Sequence, residues 1–445
     1  MKKSKVESAV CVLAVLCAIM FAPCSFAEQR SMDEVMNIAG KALKGKKDLK
    51  VRPLKPITTS ALTVSENTVE QAFYLVEPQQ GEGFVLVSSD DRMPRILGFS
   101  DNSNWCDQVP DNLQNILQSY NRALELLNSG TFTAEQLFPQ LDQNRQSSMP
   151  EEVPALLDDI AFNQTKPYNN MCPSVGNAHT VTGCVATAMA QIFTYYKYPK
   201  KGTGVYHYGV TSTEKVYDVK LDTIPFDWNL ILHSYKGSNY TAAQAKAVAR
   251  LMYACGVSIQ MEYDFDGSSA HSERVQPALV NVFGYDKSAQ YVEGYGDKRD
   301  YSDWVPTLQD EFIAGRPVYF AGAPGYSGHA FVIDGYKGLY EGDDIFDSDG
   351  YVEAVLFHVN WGWGGDGNGH FYLNNLNPDG TNYAGYRSEF VFGIKPPKGS
   401  GLETVLTGDE ADQEFYTVFG MPVPIDKLQP GTVYVRKGQK VIIKQ

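Results

Sequence analysis

Five residues scattered over 200 positions have the side chains that nucleophilic acyl chemistry needs. Cys184 lies in Thr182-Gly183-Cys184-Val185-Ala186-Thr187-Ala188-Met189, where a glycine turn opens a breaker-free run. A thiol at the start of a helix meets unpaired N–H groups and the positive end of the dipole, both of which favour a thiolate. A plain core cysteine is the competing reading. A thiol nucleophile also needs a base, an orienting group and oxyanion donors. His329, in Ser327-Gly328-His329-Ala330-Phe331-Val332-Ile333-Asp334-Gly335, stands at the mouth of an apolar strand, and Gly325 and Gly328 keep it approachable. Asn360 has the amide to accept the imidazole N–H and fix its tautomer, and Trp361 the surface to lie over that pair and exclude water. Gln164 has the amide to join the Cys184 N–H as an oxyanion donor. Lowering a thiol pKa from about 8.5 to near 4 is worth roughly 6 kcal/mol. A helix terminus supplies only about 0.3–2 kcal/mol, so a histidinium partner must supply most of the activation. One oxyanion donor is worth about 3–4 kcal/mol.

The elements that must hold these residues are legible from periodicity. Val185, Ala188, Met189, Ile192 and Tyr196 recur at helical spacing, predicting a helix with a buried apolar face. Further helices are predicted over 241–256 and 302–314. From Pro317 onward the pattern becomes strand-like, at 317–320, 329–333, 355–360 and 370–373, with glycine turns between. Helices followed by an antiparallel sheet give an α+β order. A smaller α+β unit precedes them, with a helix over 32–43, strands at 73–76, 84–87 and 96–99, and a helix over 111–127. All seven histidines fall between His179 and His370, so histidine chemistry belongs to the second unit. The polar stretch 142–152 predicts an exposed linker whose cleavage would separate the two. A second linker at 398–401 leads to a tail ending in a hairpin near 433–443.

Composition narrows the function. The chain has 445 residues with 43% hydrophobic and 20% charged content, enough for two or three globular domains. A net charge of −14 excludes nucleic acid as a natural partner. Residues 1–27 read as a signal peptide: Lys2, Lys3 and Lys5, an apolar stretch from Ala9 to Pro23, then Ser25-Phe26-Ala27. No later stretch is long and apolar enough to span a bilayer, so the protein is expected to be exported. Of seven cysteines, three leave with the signal and Cys106, Cys172, Cys184 and Cys255 remain. They make no disulfide framework and no zinc site. No cofactor or metal is expected, and a Cys172–Cys255 bridge stays open.

The segments Gly183–Ala188, Gly328–Gly335 and His358-Val359-Asn360-Trp361-Gly362-Trp363-Gly364-Gly365 closely resemble the streptopain family of secreted cysteine peptidases, with interpain-like enzymes nearest. Phe84–Asp90 with Pro94–Phe99 looks like that family's prodomain. The resemblance implies a papain-like peptidase of a helical part plus an antiparallel sheet, made as a zymogen whose prodomain blocks the cleft. It implies a signal peptide over 1–27, a prodomain over 28–147 and a peptidase domain over 148–396. Carried over residue by residue, it makes Cys184 the nucleophile, His329 the base and acid, Gln164 the oxyanion donor, and Asn360 and Trp361 supports of the histidine. Gly267, Ser268 and Ser269 resemble a substrate-cleft loop, with Gly328 beside it. Substrates would be proteins or peptides, and the prodomain an intramolecular inhibitor. Residues 397–445 resemble the sorting segments of type IX-secreted proteins, a terminal hairpin being the other reading. Two rival functions stay in view: a non-catalytic surface-binding protein that keeps the fold, with the Trp-Gly run as its ligand platform, and acyl transfer to an amine instead of water.

Overall fold

The computed structural model describes residues 29–54, 71–106, 109, 111–157, 159–293, 301–323, 328–342, 345–346, 351–373 and 387–397. In the tail it describes 415–417, 422–423, 427–428, 433–436 and 439–442. The predicted signal peptide, the loop holding Gly325 and Ser327, and the linker at 398–401 lie outside these residues.

The N-terminal unit forms as its pattern predicts. Ser31 caps the helix Met32–Ala42 by accepting the Glu34 N–H, and the helix buries Val35, Ile38, Ala39 and Ala42 against the strands Phe73–Pro78 and Phe84–Ser88. Ile96–Ser100 adds the next antiparallel strand, and the helix Asp111–Asn128 follows.

The chain's organisation departs from two separate units. Among the described residues one sheet runs from the N-terminal unit into the second unit: 49–52, 73–78, 84–88, 96–100, 369–371, 352–360, 329–340, 318–323, 387–392, 290–293. The join is short, pairing His370 with Phe99 and Phe371 with Gly98. Backbones meet so closely there that a Cβ on Gly98 would lie 2.7 Å from Phe371, and one on Gly369 2.6 Å from the Phe99 carbonyl. Arg95 reinforces it: its backbone N–H and Nε donate to the Glu353 carboxylate at 2.6 and 2.7 Å, and its guanidinium reaches the carbonyls of Gly342 and Tyr340. Phe84, Leu356, Trp361 and Phe371 accordingly share one apolar core.

The stretch 142–152 is docked, not a free exposed linker. Asp142 caps a short helix Gln143–Gln146. Gln143 bonds both backbone groups of Val352, buried Gln146 exchanges amide bonds with Gln309, and Arg145 reaches Asp310 at 2.8 Å. Glu152 and Val153 pair with Lys337 and Tyr336 as a strand. Ser147 and Ser148 are the exposed pair.

On the far side of the sheet lies the helical part. Cys184–Tyr196 is buried at every position, beyond the single buried face that its spacing predicts, and packs against the strand 329–340 and the helix Ala242–Ser258. Between these helices, a ribbon of 205–210 and 215–220 replaces the polar loops that the sequence suggests. In the tail, 433–436 and 439–442 form the predicted hairpin, with 415–417 and 422–423 alongside.

Candidate active site

Gly183 has to be glycine. It opens the Cys184 helix at φ +83°, and a Cβ there would lie 2.7 Å from Met261 and 3.0 Å from the Ser268 carbonyl. The turn delivers Cys184 to the first helical position, 9% exposed. The strand 329–340 brings His329 to it. Burial pushes the Cys184 thiol up, but the His329 charge, a hydrogen bond with the imidazole, and the backbone N–H groups of Ala330 and Val185 together hold it below the usual thiol range. Cys172 and Cys255 show the contrast: both are free thiols, and burial pushes both far up. The bridge between them left open by the sequence is not formed.

Gln164 is half-buried beside the turn that leads to Cys184. Its carbonyl accepts the Thr182 N–H at 3.1 Å, fixing its backbone two residues before Cys184. The loop 264–270 lies on the same turn: Ser268 Oγ donates to the Val181 carbonyl at 2.7 Å and accepts the Asp264 N–H at 2.9 Å. Ser269 and Glu262 exchange backbone bonds. Among the described residues a Cβ on Gly267 would meet nothing within 4 Å, and Gly328 is exposed.

Asn360 and Trp361 sit elsewhere than expected. The Asn360 side chain is fully buried, donating to the Ile160 carbonyl at 2.6 Å and accepting the Gly362 N–H at 3.2 Å. Trp361 is a core residue: its ring lies 4.8 Å from Phe331 and 5.2 Å from Phe371, and its Nε1 donates to the Gly367 carbonyl. The indole beside the imidazole is Trp363, stacked at 6.1 Å with 27° between the planes and 36% exposed. Gly362 at φ +76° turns the chain between the two indoles. The run Trp361-Gly362-Trp363 carried this signal, but alternation alone does not say which indole faces the cleft.

The sequence reading missed Asp334. It sits in a bulge of the strand 329–340, fully buried, with its carboxylate accepting the Leu157 N–H and lying 2.6 Å from His358 Nδ1. His358 in turn packs edge-on to His370, whose ring stacks on Phe99 at 4.9 Å. Among the described residues no cluster of His, Cys, Asp and Glu suits a metal ion.

A thiol at a helix start held below its usual range by an imidazole, in a chain whose N-terminal unit extends the same sheet, is the arrangement of a cysteine peptidase in zymogen form. Residues 162–371 match the Peptidase C10 family and residues 27–124 the Spi protease inhibitor. Streptopain of Streptococcus pyogenes is 34% identical over 347 residues, covering 71% of this chain and 78% of that protein. The thiol protease/hemagglutinin PrtT of Porphyromonas gingivalis is 33% identical over 344 residues, covering 74% of this chain and 37% of PrtT. A cysteine-to-alanine variant of a Prevotella intermedia prointerpain A fragment superposes with a TM-score of 0.60 at 27% identity, over 77% of this chain and 98% of that one. The chain belongs to the peptidase C10 family, that of streptopain. It is a cysteine endopeptidase made as a zymogen, with a papain-like fold behind an inhibitor-like prodomain.

Proposed function

We propose that Cys184 is the nucleophile and His329 the general base and acid of peptide-bond hydrolysis. The observation that carries this reading is the packing of the Cys184 helix on the strand that begins at His329, whose charge lowers the thiol. The thiolate attacks a peptide carbonyl. Gln164 and the Cys184 N–H hold the oxyanion, His329 protonates the leaving amine, and water then hydrolyses the thioester. Trp363 covers the imidazole. Asn360 supports the histidine indirectly, by fixing Ile160 and Gly362 on either side of the turn. The loop Gly267–Ser269, with Gly328 opposite, lines the substrate path.

The same reading divides the chain into a signal over 1–27, a prodomain over 28–147, a peptidase domain over 148–396 and a sorting tail over 397–445, in an exported enzyme acting on proteins or peptides. Among the described residues no helix is long and apolar enough to cross a membrane. The experiment is purified Cys184→Ala beside wild type on casein, with thiol present because an oxidised Cys184 is inactive. Wild type should degrade casein and the variant should not; equal degradation would overturn the assignment.

A further inference from the structure

We propose that Gln191 is a positioning residue for the oxyanion site. This rests on Gln164 being the oxyanion donor. Gln191 lies seven residues beyond Cys184 on the same helix, hence on the same face, and is 0% exposed. Its Oε1 accepts the Phe162 N–H at 3.3 Å. The Phe162 carbonyl accepts the Gly364 N–H at 2.7 Å. Residue 162 is therefore gripped on one side by the nucleophile's helix and on the other by the turn that carries Trp363. Gln164 follows two residues later, its carbonyl tied to Thr182. Through one side chain, the helix sets the height of the oxyanion segment and of the indole turn relative to the sulfur.

A second observation separates this role from packing. Gln191 Nε2 is buried without a hydrogen-bond partner. It lies 3.9 Å from where a Cβ on Gly362 would stand, and Thr187 of the same helix lies 3.0 Å from that point. An unpaired buried amide donor opposes folding. A methionine of similar length would fill the space without it. Methionine also lacks the acceptor for buried Phe162, so one unpaired donor replaces another and the difference between the two residues is read in geometry more than in net stability.

The test uses full-length Gln191→Met, Gln191→Glu, Gln164→Ala and Gln191→Met/Gln164→Ala, each matured by immobilised wild-type enzyme. Gln191→Met should lower kcat by about 10–100-fold with KM nearly unchanged. The pH profile of Cys184 alkylation should be that of wild type, and the melting temperature close to it, because the lost Nε2 and the orphaned Phe162 N–H offset each other. Gln191→Glu, whose buried carboxyl keeps an acceptor oxygen, should stay within about threefold of wild type, a small change in the activation barrier. In the Gln164→Ala background, Gln191→Met should add no further loss. An equal loss in that background, a shifted alkylation profile, or failure of both Gln191 variants to fold would overturn the proposal. A normal kcat in Gln164→Ala alone would instead remove the reading of Gln164, leaving any Gln191→Met loss as a separate result.

Discussion

Two histidine clusters share one sheet, and they are built on opposite principles. At the cleft, His329 and the backbone groups of Ala330 and Val185 converge on one sulfur and make its charge favourable. At the prodomain join, half-buried His370 stacks on Phe99 with its buried Nε2 unpartnered, and its pKa is driven well below the usual histidine value by desolvation first, then by His358 and Lys337. The first cluster stabilises an ion. The second favours a neutral ring. Charge is favoured at the sulfur of the proposed site and opposed at the ring where the inhibitor-like domain is attached.

The largest effect should come from the cleft. His329→Gln should lower kcat/KM by about 10⁴-fold, and Cys184 alkylation should then require an ordinary, higher thiol pKa. An unshifted alkylation profile would break the comparison, because the imidazole would not be what ionises the sulfur. The two indoles come next. Trp361→Ala should cost about 3–5 kcal/mol of stability, read as a fall in melting temperature. Trp363→Ala, at a partly exposed ring, should leave melting nearly unchanged while lowering kcat/KM about tenfold, or about 1.4 kcal/mol. The opposite pattern would return the cover to Trp361.

At the join, Arg95→Ala removes the Glu353 contacts except that to the backbone N–H, and should weaken prodomain docking by about 1–3 kcal/mol. Processing of the full chain by added mature enzyme should speed up accordingly; an unchanged time course would make Arg95 a bystander. The smallest effect concerns pH. His370 faces Phe99 of the prodomain, His358 paired with Asp334, and Lys337 paired with Glu152. Its folded pKa lies below the unfolded value of about 6.5, so between the two the unfolded chain binds more protons and stability falls as pH drops. Zymogen melting temperature should decline below about pH 6.5 and His370→Phe should flatten that slope, as differential scanning fluorimetry would detect. A slope unaffected by the substitution would assign it to other groups.

The candidate site was legible where its signals are local. Gly183 before Cys184 marks a helix start, and the glycines around His329 and the Trp-Gly run mark turns at strand ends. What stayed hidden depends on distant partners. The strand 387–392 forms only against 318–323 and 290–293. Glu152 and Val153 become a strand because 318–323 pairs with 329–340 only as far as Ile333, leaving that edge open at Tyr336 and Lys337. The helix 143–146 docks through an amide exchange spanning 163 residues, which no local pattern records. The surface ribbon 205–220 alternates weakly because much of it faces solvent, so it reads as loop.

The brevity of the join carries its own consequence. When the prodomain departs, the newly bared border of the sheet is a three-residue strand, Gly369–Phe371, a template too short to recruit foreign strands with much adhesion. Activation can thus tear the molecule along a seam that leaves little stickiness behind, which suits an enzyme that must stay dispersed after release.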